Sequence, residues 1–155
     1  MEGASRQLVW LATGAYLAVL LALTLWPAPP DDPQQDRLWL NLRPVDTISR
    51  SLSGQLGRAG PALVAGNVAA FVPVGVLVPL LVRRPSWRTV AAAGIGLSAA
   101  IETAQLSLSL LAGQPYRHAD VDDVILNASG ALLGYLGFQM LRGLLPGAGR
   151  ETPAG

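Results

Sequence analysis

Four stretches of the chain stay apolar for close to the roughly 20 residues that a helix needs to cross about 30 Å of hydrocarbon. They are Leu8 to Trp26, Pro61 to Val82, Thr89 to Ala112, and Val124 to about Leu141. The first is longer than a signal-peptide core, and Trp26-Pro27-Ala28-Pro29-Pro30 offers no small-x-small cleavage site, so it is expected to be a retained helix. Pro27, Pro29 and Pro30 end it, and Trp10 and Trp26 fall where an aromatic belt would place them. Between the first two stretches, Pro29 to Asp36 is an acidic, proline-rich tether. After Pro44, Val45, Ile48, Leu52 and Leu56 recur at spacings of three and four, opposite Arg50, Ser53 and Arg58. The pattern predicts an all-α polytopic membrane protein: a four-helix transmembrane bundle plus one amphipathic interfacial helix over about 44–58. A single transmembrane domain covers residues 1–145, and a flexible tail occupies 146–155.

Composition points the same way. Of 155 residues, 51% are hydrophobic and 14% charged, the latter about half the usual share of a soluble domain. A formal net charge of +1 supplies no basic field for nucleic acid. With no Cys there is no disulfide framework, no thiolate nucleophile and no thiolate metal site. Four spans put both termini and the Arg83-to-Arg88 connection on one side. Arg83, Arg84 and Arg88 crowd that short connection, so the positive-inside rule predicts a multi-pass cell-membrane protein with both termini in the cytoplasm.

The polar residues at membrane depth are the candidate chemistry. In the third span Gly94, Ser98, Glu102, Gln105 and Ser109 form one stripe, and a carboxylate at that depth is expected to face the bundle or a wet cavity. In the second, Asn67, Phe71, Gly75 and Pro79 share a face, and Pro73 and Pro79 each remove an amide donor, which predicts a kinked or broken helix. Leading into the fourth, Arg117, Asp120, Asp123, Asn127, Gly130, Gly134 and Gly137 stack on one face, whereas Asp122 points elsewhere. The glycines let a neighbouring helix approach closely. One cluster at the outer half is therefore expected: Glu102, Gln105, Asn67 and Asn127, roofed by Arg117, Asp120 and Asp123. The same residues would also serve as a purely structural core, with Arg117 paired to Asp120, Asp123 or Glu102.

This pattern resembles the VanZ-like membrane proteins. The matching pieces are Asn41-Leu42-Arg43-Pro44 with Thr47-Ile48, Asn67 with Phe71-Val72-Pro73-Val74-Gly75, Ile101-Glu102 with Gln105, and Arg117, Asp120, Asp123, Asn127, Gly130 and Gly134. They run from about residue 39 to residue 137, and Arg43 departs from the apolar residue usual there. The resemblance implies a small polytopic envelope protein whose namesake is linked to low-level resistance to the lipoglycopeptide teicoplanin. It implies no catalytic residues and no cofactor.

Three functions compete. In the first, a non-catalytic envelope protein binds an amphiphile through Asn67, Glu102, Gln105, Arg117, Asp120, Asp123 and Asn127. Its partners would be membrane lipid and either a lipoglycopeptide antibiotic or a lipid-linked wall precursor, with Val45, Ile48, Leu52 and Leu56 against the acyl part. In the second, an intramembrane enzyme uses Glu102 as general base. Asp120, Asp122, Asp123 and His118 would then have to hold a divalent ion, but they offer no ready three-ligand set in one turn, so no metal is assigned and His118 is read as a solvated loop residue. In the third, a transporter or flippase component exploits the proline-broken span and Glu102, and so narrow a bundle would need to form a homo-oligomer to build a path.

Overall fold

The computed structural model describes residues 3–26, 40–113 and 119–144. The acidic tether, Arg117, His118 and the tail from 146 onward lie outside them. Four helices are long and apolar enough to span a membrane, and they fall on the four apolar stretches: α1 (Gly3–Leu25), α3 (Ala59–Leu81), α4 (Trp87–Ala112) and α5 (Val121–Leu144). Between α1 and α3 lie a two-residue strand, β1 (Leu40–Asn41), and the short helix α2 (Asp46–Leu52). A second strand, β2 (Ala119–Asp120), precedes α5 and pairs in parallel with β1, Leu40 opposite Ala119 and Asn41 opposite Asp120.

The helix ends have local causes. Ser86 caps α4 by accepting from the Thr89 amide at 3.1 Å, and Gly113 ends it in the left-handed region at φ 65°. Helix α2 is seven residues long, not the longer helix that the apolar period suggests. Gly54 and Gly57, at φ 80° and 56°, turn the chain away before α3. Its buried face is also the opposite one: Thr47 and Ser51 point inward, while Val45 and Leu52 are exposed.

In lipid there is little hydrophobic gain from pairing helices, so close backbone approach has to hold them. The α3–α5 seam is built that way. A Cβ on Gly130 would run into the carbonyl oxygen of Val68, one on Gly134 into that of Val72, and one on Gly75 into that of Ala131. Gly137, at the end of the same stripe, faces open space instead. Phe71, Val74, Val90, Ile101, Ala131 and Tyr135 fill the rest of the core.

Despite Pro73 and Pro79, α3 is one continuous helix rather than a broken one. Each proline frees the carbonyl four residues before it. Beside the first of these, the Tyr16 hydroxyl donates to the carbonyl of Ala70 at 2.8 Å and fastens α1 to α3. Leu20 is the fully buried residue of α1; Val9, Tyr16, Leu17 and Leu25 are half-buried, with Tyr16 against the core, and most of the other apolar side chains of the helix are exposed.

Candidate functional site

Glu102 precedes the end of α4 at Ala112 by about 15 Å of helix rise. Even so, its Oε2 accepts the backbone N–H of Asp120 at 2.7 Å. Helix α5 therefore starts level with Glu102, well below the end of α4, and the β1–β2 pair is irregular backbone sunk into the bundle. Such backbone survives at depth only where protein groups satisfy it.

The satisfying groups are mostly carboxylates. Asp120 accepts from Asn41 Nδ2 at 3.2 Å, from the Thr47 hydroxyl, and from the Asp122 amide at 2.9 Å. Asn41 Nδ2 also lies 3.1 Å from Thr47 Oγ1, and Asn41 Oδ1 takes the Arg43 amide at 3.1 Å. Asp122, fully buried, accepts the amides of Val45 and Ile48, the latter at 3.1 Å. Helix α2 has no side-chain cap of its own, so the first turn of α5 supplies one. Asn67 Nδ2 donates to Asp123. One turn deeper, Asn127 Nδ2 donates to the Ser98 hydroxyl at 2.9 Å.

Most of the expected cluster is thus assembled at one end of the bundle, from Asn67, Glu102, Asp120, Asp123 and Asn127. Gln105 leaves it: its Nε2 donates to the carbonyl of Thr24 at 2.9 Å and ties the end of α1 to α4. Asp122, expected to point away from the cluster, is a central member. Its partners are backbone amides of a distant element, which no side-chain period reveals. Asn41 and Thr47, part of the motif behind the family resemblance, and Ser98, in the α4 stripe, complete the network.

These donors to Asp120 and Asp122 are neutral, and Asp120 and Asp123 both act electrostatically on Glu102. Buried atoms with no partner among the described residues are the acceptor Asn127 Oδ1, the Ser51 hydroxyl and the donor Arg50 Nε at this end, and Gln105 Oε1 beside α1. No group of three His, Cys, Asp or Glu side chains among the described residues could hold a metal ion. The Asp46–Arg50 contact at 3.7 Å on α2 is a solvent-facing ion pair, a kind that contributes little.

Four apolar spans joined through a buried polar end define a multi-pass helical membrane protein. Residues 13–142 match the family model described as VanZ/LLP1, and the chain belongs to the VanZ-like family. Comparison with curated proteins finds no match, and neither does comparison with solved structures.

Proposed function

We propose that this protein is a non-catalytic component of the cell envelope whose polar end binds the head of an amphiphilic molecule and thereby contributes to glycopeptide resistance of the teicoplanin type. Both termini are cytoplasmic in this reading, and the polar end faces outward. The observation that carries it is the juxtaposition of hydrogen-bonding groups with exposed Leu42, Val45 and Leu52 on the adjoining segment, which matches a polar head joined to a fatty chain.

The chemistry of the cluster favours one kind of head. Asp120, Asp122 and Asp123 already engage the amide groups of Asn41, Ile48 and Asn67, whereas Asn127 Oδ1 is an acceptor in want of a donor. A head rich in hydroxyl or ammonium groups, such as a sugar or a peptide amine, is therefore favoured over a bare phosphate. An antibiotic head and the saccharide of a lipid-linked wall precursor share that chemistry. Arg117 borders this site in sequence and is included for its charge.

The test is teicoplanin susceptibility of a glycopeptide-sensitive host expressing the wild type, Glu102→Gln or Arg117→Ala, with membrane insertion of each verified. Wild-type protection that disappears in either inserted variant supports the proposal. Protection that is unchanged in both variants overturns it.

A further inference from the structure

The segment from Leu40 to Leu52 is built unlike the helices beneath it. Val45 sits at φ 69°, in the left-handed region, where a β-branched residue is strained. Helix α2 is capped only from outside, by Asp122. The other ties from the segment run to β2: side-chain bonds to Asp120 from Asn41 and Thr47, and the backbone pairing of β1 with β2. Two carboxylates two positions apart, Asp120 in β2 and Asp122 in α5, thus fasten the segment together with the β1–β2 pair, Asp122 across a strained residue.

The turn between α2 and α3 permits motion. Gly54 and Gly57 adopt positive φ with open space where a Cβ would stand. The outward face, Leu42, Val45 and Leu52, is exposed and apolar, so it can ride in the membrane interface whether the segment is docked or lifted. The inward face carries Ser51, fully buried, with no partner for its Oγ among the described residues.

We infer that residues 40–52 form a strap, latched by Asp122 and loaded by Val45, that swings about Gly54 and Gly57 to uncover Asp120 and regulate entry to the polar site. In the open state β1 parts from β2, Val45 leaves the left-handed region, and the freed backbone groups, the amides of Val45 and Ile48 among them, go to water. Asp120, with Glu102 directly behind it, then meets an incoming head. The inference rests on the proposed function for what the strap admits, and on the fold alone for the motion.

The chain contains no Cys, so a single introduced thiol reports the motion. Ser51→Cys in the full-length protein, held in lipid nanodiscs, is treated with a hydrophilic maleimide, with exposed Ser53→Cys as the reference for reagent access. A strap that opens transiently makes Ser51→Cys react far more slowly than Ser53→Cys. Adding Asp122→Asn, which weakens two charge-assisted bonds, should speed labelling at least about tenfold. Adding Val45→Gly, which relieves the backbone, should slow it about threefold.

Opposite shifts from these two variants are the signature of a latch working against a strained residue. Should Asp122→Asn fail to fold, the slowing by Val45→Gly still decides the matter. Equal rates in Ser51→Cys with and without Val45→Gly, or faster labelling with it, would overturn the strap. Labelling needs no ligand, so a rigid strap refutes this inference without touching the susceptibility result, and lost protection refutes neither latch nor hinge.

Discussion

The start of α5, with β2 before it, and the middle of α5 are held in different ways. Away from the polar end, Gly75, Gly130 and Gly134 bring backbone against backbone, and shape decides the fit. At the polar end Asp120, Asp122 and Asp123 reach across to amides and hydroxyls of Asn41, Val45, Thr47, Ile48 and Asn67, and hydrogen bonding decides it. A seam of small residues has one good register and no chemistry to spare. A hydrogen-bonded end can exchange partners, so the contrast separates a part that fixes the fold from a part that can meet a ligand.

The contrast breaks most visibly at the seam. Gly134→Leu drives a side chain into the Val72 carbonyl and should abolish folded protein, read as loss of the monodisperse peak in detergent. Gly137→Leu, one turn on and facing open space, should leave that peak intact. A smaller loss is expected at the polar end: Asp122→Ala strands the Val45 and Ile48 amides and should cost about 3 kcal/mol in a denaturation titration. Asp122→Asn, which keeps an acceptor, should recover part of that loss.

How far the sequence discloses this division depends on what kind of partner a residue seeks. Helix-to-helix partners are periodic, so the four spans, the glycine face of α5 and the inward stripe of Ser98, Glu102 and Ser109 are all readable. Backbone partners are not. Asp122 is off the polar face by helical arithmetic, yet it is fully buried because the amides it serves belong to α2 and the residue before it. The β1–β2 pair is too short to carry an alternating pattern. Gln105 shares the stripe but turns to the open carbonyl of Thr24 at the end of α1, a choice set by where α1 stops. In α2 the apolar period is real, but two glycines cut the helix short and its apolar side faces outward.

Finer changes sharpen the same comparison. Ser98→Ala removes the partner of Asn127 inside the bundle and should cost about 1 kcal/mol, near the usual value for one interhelical hydrogen bond in a membrane. Tyr16→Phe should cost about 0.6 kcal/mol, since it removes one bond from a helix that packs loosely. A thermal-shift series in one detergent ranks both against wild type.

The central claim is that the polar end receives the head of an amphiphile, and direct binding tests it most closely. Wild-type and Glu102→Gln protein in lipid nanodiscs would be titrated with teicoplanin and, in a separate arm, with a polyprenyl-linked saccharide. Gln at 102 can still accept the Asp120 amide, so the fold is kept while the carboxyl group is replaced by an amide. The account predicts saturable binding of one of the two ligands by the wild type and at least about tenfold weaker binding by Glu102→Gln, as expected when the head loses its carboxyl hydrogen-bond partner. Equal affinity in the two proteins, or no saturable binding of either ligand, would contradict it.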